Sequence, residues 1–600
     1  MVKEQLISAW SWFKTKFLAS YRALGLPSFS ELRLAILSFS PRQRLNLSLV
    51  GIIFVISFGV LLFRFNDSLV VEVAIPGGSL SEGLVGIPHF ANPLLATSDA
   101  DRDLVALIYS GLLRPSENGT LIPDLAESFT VSEDGLIYTF KLKPNLHWQD
   151  GEKITTADIV FTLKRVVDPI LKSPRRANWD GVTINKINDS EIQFVLKKPY
   201  ASFLVNTTIG ILPKHLWEKT ASESFSLSNL NIEPIGSGPY QVASVQKNSA
   251  GLVNTYELVA FPDFALGLPR LETIKLSFYP NEKELLSDYS LGRIKAVGGL
   301  SPDSLKIFNQ DQISRLPLPR VFGVFFNQNQ ARVFTNTEVR KALDLATNKQ
   351  AIIDQALAGY GEILDNALPP GSPGYQANTN QNPFNLENAK KLLADKGWKP
   401  NKDGILEKKV TVKKTTTTET LTFSIYTSNA PELVKVAKLL KQQWEVLGAS
   451  ITIQVFEPSD LSDNFIRPRK YDALLFGEVL GRNPDLFPFW HSSQRLDPGL
   501  NIAMYTNIKA DKLLEEARAT SDPEQQKEKY RLFQAEISKD TPAIFLYSPY
   551  YLYFLPSEIK GAIFSTITTP AERFENVYHW YRQTDQLWRF LAKPQDIINN

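Results

Sequence analysis

Leu45 to Phe63 reads LNLSLVGIIFVISFGVLLF, nineteen residues without a charge. In hydrocarbon every backbone N–H and C=O must be satisfied within the segment, so such a run folds as a helix. At about 1.5 Å per residue it reaches ~28 Å, close to the ~30 Å hydrocarbon core of a bilayer. Arg42 and Arg44 precede it and Arg64 follows. Residues 1–44 hold seven Lys and Arg against Glu4 and Glu31, a local charge of +5 in a chain of net charge +2, so the remainder carries −3. That bias predicts a basic cytoplasmic head (1–44), one transmembrane signal-anchor (45–64) in the cell membrane, and an extracytoplasmic bulk. No convincing small-x-small site follows the run, which favours an uncleaved anchor over a cleaved signal peptide. Trp10, Trp12 and Phe13 suggest an interfacial helix on the inner leaflet.

With 600 residues the chain is too long for one core, and two or three domains are expected. The chain has no cysteine, which excludes disulfides, thiolate metal sites and an N-terminal lipid anchor on cysteine. A large body without basic excess is a poor nucleic-acid binder. Five scattered histidines (His89, His147, His215, His491, His579) show no metal-ligand spacing. No Gly-x-Ser-x-Gly elbow and no phosphate loop is present. The reading is therefore of a protein that is not an enzyme and needs neither metal nor cofactor.

Elements follow from periodicity. Ile137–Lys143 alternates, with Tyr138, Phe140 and Leu142 on one side: a half-buried strand between turns at Asp134-Gly135 and Asp150-Gly151. Thr155 or Thr156 caps a helix whose apolar face is Ile159, Val160, Leu163 and Val166–Val167. Gly77–Gly83 reads as a glycine-rich turn. Arg320–Asn327 is a continuous apolar run that suits a buried strand. Leu421–Tyr426, a helix over Pro431–Leu447 and Ile451–Phe456 form a β–α–β unit with a right-handed crossover. Tyr471–Leu480 and an aromatic-rich Ala543–Tyr553 are further strands, and Lys408–Glu419 is a polar hairpin or surface insertion.

One ordered set of residues resembles a known family. Pro123, Leu125-Ala126, Ser128-Phe129, Asp134-Gly135, Tyr138-Thr139-Phe140, Leu142-Lys143, Trp148, Asp150-Gly151 and Thr156-Ala157-Asp158-Ile159-Val160-Phe161-Thr162 follow the signature of the family 5 extracytoplasmic solute-binding proteins. Ile211-Leu212-Pro213-Lys214-His215 and Pro234-Ile235-Gly236-Ser237-Gly238-Pro239-Tyr240 match two further family stretches. The resemblance covers roughly residues 75–585. It implies a mixed α/β (α+β), type II periplasmic-binding-protein-like fold: two discontinuous lobes plus a third subdomain. Lobe I would comprise 70–114, 233–320 and 546–597, subdomain II 115–232, and lobe III 321–545.

The function implied is that of a substrate-binding receptor of an ABC importer. It would close about a hinge (Gly236, Gly238, Pro239) on a peptide or other small solute and present it, as a monomer, to permease subunits. A surface sensor or binding protein without transport is the alternative. Strand edges would pair with an extended ligand, with Phe326 and Asn327 at the end of one strand. Peptide receptors of the family hold the ligand ammonium with an Asp four residues before a loop proline. Counting from Pro484, that position is Leu480 here. Glu478 and Asp485 are the nearest carboxylates, and Arg482 beside Asn483 could meet a ligand carboxylate bidentately. Trp490 and His491 follow as either wall or core.

Overall fold

The computed structural model describes residues 29–116, 119–200, 202–370, 372, 374–375, 383–412, 415–481, 485–520, 522–564, 567–593 and 596–598. The expected inner-leaflet helix around Trp10 lies outside these residues. The chain forms two compact units, one of residues 1–74 with 584–600 and one of 75–583.

In the smaller unit the apolar run lies inside a longer helix, Pro41–Leu69, with no buried residue. Ser40 and Gln43 make a reciprocal capping box at its start, where Pro41 has no N–H to lose. Among the described residues this is the one helix long and apolar enough to cross a membrane. The strand Val70–Ile75 follows directly and pairs with Gln583–Trp588 in a two-stranded sheet. Lobe I was expected to run from 70 and on to 597. Its outermost segments instead join the helix, because Arg589 N donates to Leu69 O and Val73 bridges Ile597.

The larger unit is organised by one strand. Ala543–Phe554 is twelve residues long and almost wholly buried. Its first half pairs with Arg320–Phe326, its second with Ile313–Pro317 and Ala296–Gly298. A sheet is thereby continuous across two cores. On one side run Ser450–Phe456, Thr422–Ser428, Ala473–Val479 and Arg320–Phe326. On the other run Ala296–Gly298, Ser79–Val85, Thr273–Tyr279, Val253–Ala260 and Tyr240–Lys247. Between the halves the chain crosses twice, at Pro317–Arg320 and at Tyr547–Tyr550, where Ser548 Oγ donates to Leu318 O at 2.7 Å.

The β–α–β unit forms as the pattern predicts. Thr422–Ser428 runs parallel to Ser450–Phe456, and the helix Pro431–Leu447 between them buries Leu433, Val436, Leu440, Trp444 and Leu447. Gly448 ends that helix at φ 105°. The glycine-rich segment is shorter as a turn than expected. Gly77 and Gly78 turn with positive φ, and Ser79–Val85 is already a strand.

Residues 126–195 build a separate four-stranded antiparallel sheet, ordered Ala126–Val131, Ile137–Leu142, Glu191–Val195, Thr183–Lys186. Tyr138, Phe140 and Leu142 are buried as the alternation requires. Thr155, not Thr156, caps the helix Thr156–Val167: its Oγ1 accepts from Ala157 N, while Asp158 reaches back to Thr155 N at 2.9 Å. Thr156 Oγ1 is instead spent on Asn188 O.

Candidate functional site

Three cavities share Arg175 beside the four-stranded sheet, and the two larger ones are also lined by residues that follow the strand Ala473–Val479. Their volumes are about 760, 340 and 140 Å³. Arg175 lines all three. Its loop is pinned at both ends. Ser173 Oγ accepts from Arg175 N at 3.3 Å and donates to Leu94 O at 2.7 Å, and Trp179 packs edge-on against Phe194 and Phe203. Among the described residues Arg175 has no ion pair. Loss of hydration in the chamber lowers its pKa, Arg102 adds to that, and Glu572 opposes it. The Arg175 side chain is exposed to the chamber, with Glu572 on the same wall, and a guanidinium without an ion pair can receive an anionic group.

The far wall comes from the sheet half that carries Ala473–Val479. Val479, Leu480 and Gly481 line the middle cavity at the end of Ala473–Val479, and Leu480 N donates to Pro319 O at 2.8 Å. Leu480, the position at which the resemblance implies an acid, carries an apolar side chain and is 1% exposed. Asp485 and Arg518 line the large cavity and pair at 3.1 Å. Burial raises the Asp485 pKa and Arg518 restrains the rise. The Arg518 guanidinium also lies 4.7 Å from the Phe487 ring centre and 5.6 Å from that of Tyr200. Tyr200 belongs to the four-stranded subdomain, so this cation–π contact spans the cleft.

The other expected site residues lie elsewhere. Phe326 and Asn327 sit at the wrong end of their strand. Arg320 faces Val479 at the cleft and Phe326 faces Ala473, so six residues of strand carry Phe326 about 20 Å away. Phe326 is fully buried and Asn327 donates to Arg469 O at 2.8 Å.

Glu478 lies opposite Val321 and is 4% exposed, and neither carboxylate oxygen has a hydrogen-bond partner. Burial raises its pKa well above the usual range, so it cannot serve as a ready anion. Trp490 is core, against Phe325, Phe545, Tyr505 and Phe533. His491 stacks on Phe487 at 4.1 Å, with Nδ1 2.7 Å from Ser493 Oγ. Arg482 and Asn483 lie outside the described residues.

The glycines expected at the hinge pack tightly against Ile108 and Gln149. Gly238 N donates to Ile108 O at 2.8 Å, and Gly236 N to Gln149 Oε1 at 2.8 Å. A Cβ on Gly236 would stand 1.9 Å from Ile108 O. Pro239 lines the smallest cavity. The sequence reading missed Arg175, Tyr200 and Arg518. None lies in a motif, and the only available signal was the Arg175-Arg176 pair before Trp179. Among the described residues no cluster of His, Asp or Glu is placed to hold a metal ion.

The family model described as bacterial extracellular solute-binding proteins, family 5 Middle, matches residues 120–497. The chain is 28% identical over 517 residues to the oligopeptide-binding protein AppA of Bacillus subtilis, covering 84% of this chain and 92% of that one. The solved structure of AppA from Bacillus subtilis with a nonapeptide superposes with a TM-score of 0.66 at 27% identity, covering 85% of this chain and 100% of the other. NikZ of Campylobacter jejuni in complex with Ni(L-His) superposes with a TM-score of 0.68 at 28% identity, covering 84% and 100%.

Proposed function

Because the chain belongs to the bacterial extracellular solute-binding proteins of family 5, we propose that it captures peptides in the chamber around Arg175 and delivers them to an ABC permease. Its fold is that of the type II periplasmic binding proteins, and its relatives are receptors rather than enzymes. It is a substrate-binding receptor for peptide import. The helix Pro41–Leu69 fits a single-pass anchor, with the N-terminal side cytoplasmic and the larger unit outside as a monomer. Closure would take place about the two crossings, Pro317–Arg320 and Tyr547–Tyr550.

The observation that carries the ligand reading is the charge of the chamber. Arg175 lines all three cavities and has no ion pair among the described residues, while Leu480 supplies no counter-charge for an ammonium group and Asp485 is already committed to Arg518. An extended ligand would pair its main chain with the free end of the strand at Val479–Gly481 and present a carboxylate to Arg175. Free amino termini would add nothing.

Isothermal titration against matched peptides tests this. N-terminal acetylation is expected to leave affinity unchanged, while amidation of the carboxylate weakens it about tenfold or more, the worth of a charge-assisted hydrogen bond. Loss of binding on acetylation with no effect of amidation would overturn the reading.

A further inference from the structure

Three large apolar side chains near the end of the chain face outward. Trp588, Phe590 and Leu591 are 47, 71 and 63% exposed. Single exposed apolar residues need no explanation, but these three are adjacent and fixed in place. Trp588 Nε1 donates to Asn66 Oδ1 at 2.9 Å, and Arg589 N donates to Leu69 O at 2.8 Å. The Trp588 and Phe590 rings lie 5.5 Å apart, and Leu591 N turns back to Trp588 O at 2.8 Å. The patch is thus fastened to the last turn of Pro41–Leu69.

Its depth follows from the helix. Asn66 is three residues beyond Phe63, the end of the uncharged run, which is about 4.5 Å along the axis. The headgroup layer on each side of the hydrocarbon core is about 5–8 Å thick. An indole bonded to Asn66 therefore sits at headgroup level, where an apolar ring with one polar N–H is best accommodated. Residues 64–74 and 584–600 carry no basic excess: Arg64, Arg589 and Lys593 stand against Asp67, Glu72, Asp585 and Asp596. Attraction to lipid would rest on the apolar side chains and not on anionic headgroups.

We propose that Trp588–Leu591 is a second membrane contact, inserting these three side chains into the outer headgroup layer of the bilayer that Leu45–Phe63 spans. The inference rests on the reading of that run as an anchor. It gives the chain two attachments, Leu45–Phe63 and Trp588–Leu591, fastened together at Asn66.

The absence of cysteine allows a direct test. Single variants Phe590→Cys, Leu591→Cys, Phe58→Cys and Leu227→Cys of the full chain are nitroxide-labelled and reconstituted in phosphatidylcholine vesicles. Collision with oxygen and with a water-soluble nickel chelate is then read by EPR. Phe58 lies within the run, and Leu227 is a water-exposed reference at 83% exposure. Labels at 590 and 591 are expected to lose most of their chelate collisions relative to 227, and adding phosphatidylglycerol should change nothing. Labels at 590 and 591 as chelate-accessible as 227, with 58 protected, would overturn this inference and leave the anchor standing. A chelate-accessible label at 58 would overturn the anchor and this inference together. Protection that vanishes on diluting the protein in the bilayer would assign the patch to a second copy and overturn the lipid contact.

Discussion

Arg175 and Glu478 show opposite treatments of a charge. Arg175 keeps its charge at the chamber wall, where the residue is exposed and Glu572 favours the charged form. Arg175→Ala is expected to weaken binding of carboxylate-bearing peptides by about 2 kcal/mol, roughly thirtyfold, with the melting temperature of the ligand-free protein unchanged. Titration calorimetry and thermal unfolding of the same preparation check both halves.

Glu478 is the reverse case, a carboxyl sealed in a lobe with both oxygens unpartnered. Its folded pKa lies above the unfolded value near 4.5, so the folded state favours the protonated form. The stability it leaves intact below about pH 4.5 is lost progressively as pH rises toward the folded pKa. Glu478→Gln keeps the shape and removes the titration. It is expected to raise the melting temperature at pH 7–8 and to change it little at pH 4, read by thermal unfolding at both. An equal gain at both would refute the titration as the cause.

The strand Ala543–Phe554 holds the larger unit together, and the segment after it is locked by a buried ion cluster. Arg573 Nη2 reaches Glu82 Oε1 and Asp103 Oδ2, both at 2.7 Å, and Tyr553 Oη donates to Glu82 Oε2 at 2.8 Å. The strand Ser79–Val85, the helix Asp99–Ile108 and the turn Pro570–Phe574 meet on this one guanidinium. Burial pushes Asp103 up to about 6 even though Arg573 opposes the rise. Arg573→Ala would strand two buried carboxylates, and breaking a buried pair this way costs about 3–5 kcal/mol. Denaturant unfolding should show the transition of the core that holds Arg573 at lower denaturant, with its extrapolated stability reduced by that amount.

The larger unit has the architecture of a clamp. Two cores share one sheet through Ala543–Phe554, and two short crossings join them. Proline at 317, 319 and 549 fixes φ in both crossings, so bending must be absorbed by the few residues between. The Arg518–Tyr200 contact spans the cleft on the other side. A saturating peptide is expected to lower the radius of gyration measured by small-angle scattering. It should also stabilise the protein by about 2.7 kcal/mol at a hundredfold excess over Kd. Stabilisation without contraction would place binding in one lobe alone and refute closure.

What could be read without coordinates was local. The capped helix Thr156–Val167, the alternating Tyr138, Phe140 and Leu142, the β–α–β unit and the uncharged run all depend on neighbours a few residues away. The ordered motif around Asp134–Thr162 likewise pointed to the family later matched over 120–497. The site was different. Trp490 and Phe326 have the composition of a ligand wall and of a core alike, and only packing distinguishes the two. Position along the chain makes Glu478 one of the two carboxylates nearest the expected acid, but its burial raises its pKa. Arg175 gained its place because segments near 93, 175, 208, 480 and 569, far apart in the chain, close around one space. Strand direction sent Phe326 about 20 Å from that space while bringing Val479 to its edge. Periodicity and capping act through the backbone over one or two turns and are written in the sequence. Which side chains share a cavity is fixed by long-range packing, where no single residue carries the signal.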